Sequence, residues 1–369
     1  MLKLTMNPRK RSKRMRAYFT KYRHHQGKSI MEMESKAIEQ GGIISDSLNA
    51  LIIQESSGIY SCVDYLSMKE WQLNVYDLLR KDRLTNSHHP GDSQIDEYCR
   101  EQIVEWSFRV VDYFRIDREV VVVSLSLLDR FLAICQCDRS TFKLAATTTL
   151  QLAVKLLHPC KLGELGILSD LSRGEFDMND VALMETHILD SLKWKLHPPT
   201  SIAFATLMLD FFFCSQNIDM SSTDIDDLYD ISSFFTELAV CDFYFVGQTP
   251  SIVAIASIVN ALEGMFGPDN KITSRILKTA SKLNIYKQHD LSRISHRLWE
   301  LYERSEECAL HNNFDPMEEE KVPDTSDIFV SKGTCNAGSP VSVSKPCNSM
   351  TSNEIMCAMR SQTLRNGSW

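Results

Sequence analysis

From Ser61 to Ser305, apolar residues recur at three- and four-residue intervals between short polar breaks, which predicts a chain of helices. Over Glu97 to Phe114, Ile103, Trp106, Val110, Val111 and Phe114 form one stripe. Over Asp64 to Leu79, Leu66, Trp71, Val75, Leu78 and Leu79 form another. The run Val120 to Leu125 has strand propensity on local grounds. Its apolar continuation through Leu127, Leu128, Phe131, Leu132 and Ile134 is too long for a typical strand, so length predicts a buried helix. Phe142 to Leu157 carries small residues (Ala145, Ala146, Thr147, Thr148, Thr149, Ala153) that let neighbouring helices approach, which suits the centre of a bundle. Asp177 and Asn179 are suited to cap a helix running to Leu192.

Pro198-Pro199 stops this series, and Thr200 can cap the next helix. The pattern restarts over Ile202 to Phe213, Ile225 to Phe243, Pro250 to Met265, Lys271 to Leu283 and Leu291 to Tyr302. Pro250 falls in a first helical turn, where its missing N–H costs least. The helix it opens carries Ala254, Ala256, Ser257 and Ala261, a second small-residue helix suited to a bundle centre. Two all-α bundles with similar internal order suggest a duplicated unit. The expected divisions are a basic, mostly disordered arm over 1–60, a first bundle with a preceding helix over 61–199, a second over 200–305 and a disordered tail over 306–369.

Composition narrows the function. The 369 residues are 43% hydrophobic and 24% charged, an ordinary globular balance. A net charge of −8 disfavours a whole-chain nucleic-acid binder, and no specific nucleic acid is expected as a partner. No stretch approaches the roughly 20 apolar residues of a membrane helix. The nearest, Val120 to Cys135, is broken by Asp129 and Arg130, so no membrane partner is expected. The eleven cysteines form no Cys-x-x-Cys pair and read as small apolar side chains in a reducing compartment. No Gly-x-Gly-x-x-Gly, His-Arg-Asp, Asp-Phe-Gly or phosphate-binding loop is present, and no cofactor or metal is expected.

A series of short segments carries a family likeness. Arg100-Glu-Gln-Ile-Val-Glu-Trp106 is followed by Leu127-Leu-Asp-Arg-Phe-Leu132, then by Leu152-Ala-Val-Lys155, Met184-Glu185 and Leu192-Lys-Trp-Lys-Leu196 with Pro198-Pro199-Thr200. Asp242-Phe-Tyr-Phe245 and Pro250-Ser251 come later. In this order the segments resemble the two boxes of the cyclin family over residues 61 to 305. The resemblance implies two tandem five-helix cyclin-fold bundles, an all-α fold with no catalytic site. It also implies a regulatory subunit that binds and activates a cyclin-dependent Ser/Thr protein kinase in cell-cycle control. A cyclin-fold, transcription-related adaptor acting without a cell-cycle kinase is the alternative.

The resemblance also assigns roles. Lys155 and Glu185 match the pair with which cyclins hold the kinase's regulatory helix, an ammonium donating to carbonyls and a carboxylate accepting N–H groups. On the residues alone, the same pair reads as an ordinary intramolecular salt bridge. Leu156, Leu189, Trp194 and Leu196 fall where the family places apolar kinase contacts, with core packing as the other reading. After Lys155, the chain has Leu156, Leu157 and His158 where many cell-cycle cyclins have an aromatic residue and two acids. Arg100 and Asp129 correspond to a structural ion pair between the first two helices. Ile103 and Trp106 match part of a docking patch for kinase substrates or inhibitors, although Cys99, Gln102 and Arg109 depart from it.

Before Glu32 there are ten Lys and Arg and no acid. The cluster Arg9, Lys10, Arg11, Lys13, Arg14 and Arg16 reads as a nuclear localisation signal, giving a nuclear protein with a cytoplasmic share. A solubilising tail or a mitochondrial presequence are the other readings of that composition.

Overall fold

The computed structural model describes residues 37–67, 73–74, 95–161, 175–215, 220–268, 270–282 and 288–305. Within them the regular secondary structure is helical apart from one short strand pair of two residues per strand. The helices are α1 (Ala37–Ser56), α2 (Glu97–Tyr113), α3 (Glu119–Leu132), α4 (Arg139–Leu157) and α5 (Met178–Ser191). After the linker come α6 (Ser201–Ser215), α7 (Ser222–Cys241), α8 (Pro250–Phe266), α9 (Lys271–Lys282) and α10 (Gln288–Arg304). Strand β1 (Leu73–Asn74) pairs in parallel with β2 (Cys135–Gln136).

Side-chain caps fix where these helices begin. Asp96 accepts from the Cys99 N–H at 2.8 Å, Asp138 from Thr141 at 2.7 Å and Ser221 from Asp224 at 3.1 Å. At α5, Asp177 and Asp180 form a reciprocal capping box, so Asp177 is the cap and Asn179 is not. Thr200 accepts from the Ala203 N–H at 3.1 Å and donates to Glu119 at 2.8 Å. The start of the second bundle is thereby pinned to the start of α3.

In the first bundle α3 packs on α4, and α4 on α5. The valine run of α3 is helical because burial outweighs local strand propensity: Val120, Val121, Leu127, Leu128 and Phe131 are sealed from solvent. The threonines of α4 sit in this core at little polar cost, since the Thr147, Thr148 and Thr149 hydroxyls donate to carbonyls of their own helix. In the second bundle α8 is the axis, contacting α6, α7 and α10. Its buried amide is satisfied: Asn260 donates to the Ser295 carbonyl at 3.0 Å and accepts from the Ser295 hydroxyl.

Two expectations need correction. Residues 37–56, placed in the disordered arm, form α1. Leu48 lies in the core of the second bundle, with Leu51 and Ile52 against it. The helix exists because α6 offers that apolar surface. The helix expected over Asp64 to Leu79 gives way, where it is described, to a turn over 65–67 and to strand β1. Pairing with β2 overrides the local period there, and the other residues of that span lie outside the described ones. The tail from 306 and the basic cluster at 9–16 also lie outside them.

Candidate functional site

The outer face of the first bundle is built on α4 and α5. Lys155 stands in the last turn of α4 and Glu185 in the middle of α5. The Lys155 Nζ donates to the two Glu185 carboxylate oxygens at 2.7 and 2.5 Å, with side chains 32% and 22% exposed. The ammonium keeps a third N–H, and each carboxylate oxygen keeps a lone pair, for another molecule. As an isolated pair this contributes about 0–1 kcal/mol to folding.

The apolar surroundings follow from helical spacing. Met178, Ala182, Glu185 and Leu189 recur at intervals of four, three and four, so they share one face of α5. Met178 is exposed, Ala182 is exposed and Leu189 is half-buried. Met178 and Ala182 were missed in the sequence, where only the spacing from Glu185 marks them. Leu156 and Leu196 are half-buried as well. Trp194 is 67% exposed, unusual for the largest apolar side chain.

Backbone geometry presents this tryptophan. Helix α5 ends in a Schellman motif: the Lys193 N–H bonds the Asp190 carbonyl at 3.1 Å and the Trp194 N–H bonds the Leu189 carbonyl at 3.0 Å. The motif brings Trp194 beside Leu189 and makes Lys193 left-handed, with φ of 50°. Trp194 is left-handed as well, with φ of 59°. Neither residue is glycine, so each position costs about 1–3 kcal/mol and persists only where neighbours enforce it. Beneath the turn lies Arg130 of α3, whose Nη2 donates to the Lys195 carbonyl at 2.9 Å.

Arg100 and Asp129 form a different centre, away from solvent. Arg100 Nε and Nη2 meet both Asp129 oxygens at 2.9 and 2.8 Å, and the Tyr65 hydroxyl donates to Asp129 at 2.9 Å. Arg100 Nη1 donates to the Val240 carbonyl at the end of α7, at 2.8 Å. Burial alone would lower the Arg100 pKa, but the Asp129 charge outweighs it and holds the guanidinium above its ordinary range. The arginine therefore joins three elements and both bundles.

The docking patch is not assembled as expected. Ile103 is only 3% exposed, in the stripe of α2 that packs towards α3. Its place on that inward stripe makes it a core residue. Trp106 is half-buried, and Arg109 pairs with Glu105 at 3.5 Å.

Comparison with known proteins agrees with this architecture. The family model for "Cyclin, N-terminal domain" matches residues 73–197, and that for "Cyclin, C-terminal domain" matches residues 199–328. The chain belongs to the cyclin family. It is 25% identical over 186 residues to the "G2/mitotic-specific cyclin-A1" of Caenorhabditis elegans, covering 49% of this chain and 36% of that one. It is 22% identical over 257 residues to the "G2/mitotic-specific cyclin S13-6" of Glycine max, covering 69% of this chain and 51% of that one. "Cyclin-B2-2" of Arabidopsis thaliana is 25% identical over 211 residues, covering 55% and 46% respectively. The matched part thus spans about half or less of these relatives. Among solved structures, a viral cyclin from herpesvirus saimiri aligns with a TM-score of 0.47 at 16% identity, covering 57% of this chain and 87% of that one.

Proposed function

We propose that this cyclin is a non-catalytic regulatory subunit that binds and activates a cyclin-dependent Ser/Thr protein kinase in cell-cycle control. The observation carrying this reading is the Lys155–Glu185 pair, partly exposed and preassembled, on the helix α5 that starts with exposed Met178 and is followed by exposed Trp194. Charged groups with spare hydrogen-bonding capacity, combined with exposed apolar anchors, are suited to grip the backbone and side chains of a partner helix. Holding such a helix completes a kinase's Lys–Glu pair and so its phosphate site. The half-buried leucines Leu156, Leu189 and Leu196 supply the apolar ground of the contact. We also propose nuclear residence, on the basic cluster at 9–16.

The test is reconstitution with purified cyclin-dependent kinases and a histone-type substrate. Phosphorylation should require both proteins, with none from the chain alone. ATP turnover by the pure chain, or failure to bind and stimulate any kinase of that class, would overturn the reading.

A further inference from the structure

Arg130 is a cation that its surroundings do not neutralise. Only 6% of it is exposed, and among the described residues no carboxylate forms an ion pair with it. The adjacent acid, Asp129, is committed to Arg100 and Tyr65. One guanidinium face lies over the Tyr60 ring, 5.0 Å from its centroid, and Nη1 is buried without a partner. Burial lowers its pKa from the ordinary arginine value. A buried unpaired charge costs stability, and an apolar side chain of similar shape would fill the space without that cost. Beyond the Tyr60 contact, what distinguishes Arg130 from such a filler is the bond from Nη2 to the Lys195 carbonyl, made across 65 positions of sequence.

That carbonyl belongs to the residue that follows Trp194 in the turn. The Schellman motif requires one left-handed residue, and α2 closes in the same way with Arg115 alone at φ of 52°. At α5 a second left-handed residue, Trp194 itself, follows Lys193, so this turn needs a restraint beyond the motif. The Lys195 N–H bonds back to Leu192 at 3.0 Å, and Arg130 grips the same residue's carbonyl from below. We infer that Arg130 is a positioning residue, buried under the partner-binding face, whose bond to Lys195 holds Trp194 outward in its strained conformation. The partner-binding part of this inference rests on the kinase reading above.

A double-mutant cycle with exchange measurements on the full chain tests it. Arg130→Met removes the donor and keeps an apolar stem. It should weaken binding to the purified kinase about ten- to hundredfold, the range for a lost bond to a charged donor. In a Trp194→Ala background the same change should have no effect beyond about twofold. Equal losses in both backgrounds would overturn the inference. In the free chain, Arg130→Met should speed hydrogen exchange at the Trp194 and Lys195 amides and leave those of α8 unchanged. Unaltered exchange at Trp194 and Lys195 would also overturn it. Should Arg130→Met not fold, Arg130→Lys keeps the charge without the planar fork and is read through the same cycle. If the wild-type chain binds no kinase, the functional reading falls, and the exchange data still decide what Arg130 does.

Discussion

A lysine and a glutamate in contact on a surface have two uses that substitution separates. If Lys155 and Glu185 merely bond each other, reversing both charges restores what either single reversal breaks. If each also addresses a partner, the double reversal restores the internal bond and leaves the polarity towards that partner inverted. Lys155→Glu should change folding stability by less than about 1 kcal/mol. It should cost about 2–5 kcal/mol of kinase binding, roughly thirty- to several-thousand-fold. Lys155→Glu combined with Glu185→Lys should regain the wild-type melting temperature and still bind weakly. Calorimetric titration with the kinase beside thermal melts checks both halves, and recovered affinity in the double variant would reduce the pair to an ordinary salt bridge.

At the scale of elements, α1 is attached by a carboxylate as well as by leucines. Thr249, which precedes α8, makes no side-chain cap bond, and Glu55 of α1 supplies the acceptor from outside. It accepts from the Ser251 N–H at 2.8 Å and from the Ser251 hydroxyl at 2.6 Å. Burial outweighs those bonds and raises the Glu55 pKa above its ordinary 4.5. A carboxyl raised in the folded state contributes most to stability when protonated, and that contribution fades as pH rises through the folded pKa. Glu55→Gln stays neutral, so its stability relative to wild type should increase from about pH 4 to about pH 7.5. Urea unfolding at the two pH values measures the trend, and the opposite slope would show that the helix terminus, not burial, governs Glu55. The carboxylate's role was illegible beforehand because no local spacing links residues 55 and 251. Helix α1 itself was missed because Gly41-Gly42 and scattered isoleucines give no clear stripe, and its apolar face becomes meaningful only against α6. Helices α3, α4, α7 and α8 were legible, since each buries a face that repeats in its own sequence. Lys155 and Glu185 were marked by the family likeness, which names residues without giving their geometry, and the structure shows them paired. Met178 and the strained turn at Trp194 needed coordinates, because backbone handedness at a non-glycine residue leaves no compositional trace.

Across the whole molecule, polar ties make the two bundles dependent on one another. Arg100 reaches Val240, Arg118 meets Glu237 at 2.6 Å, and Glu119 holds Thr200. Arg100→Met strands Asp129 as a buried unpaired acid, with an expected cost of about 3–5 kcal/mol. Because the arginine also serves α7, denaturant unfolding should shift to lower midpoint as one transition, seen alike by probes in either bundle. Separate transitions would show that the ties are incidental.

The basic cluster precedes every one of these ties in sequence. The ten cations before Glu32 precede α1, which begins at Ala37, so removing residues 1–31 leaves intact the helix that fills the second bundle's surface and the Glu55 cap at α8. The folded part should therefore melt as before, and kinase affinity should stay within about twofold because the proposed face sits on α4, α5 and the Trp194 turn. What changes is charge: the deletion removes a dense block of positive side chains, the feature that an import receptor with an acidic groove reads. A fluorescent fusion of the shortened chain should lose nuclear accumulation, and grafting 1–31 onto an inert cytoplasmic carrier should confer it. Unchanged nuclear signal in the deletion would show that the arm is a solubilising or nonspecifically binding segment, and mitochondrial staining of the graft would mark it as a presequence.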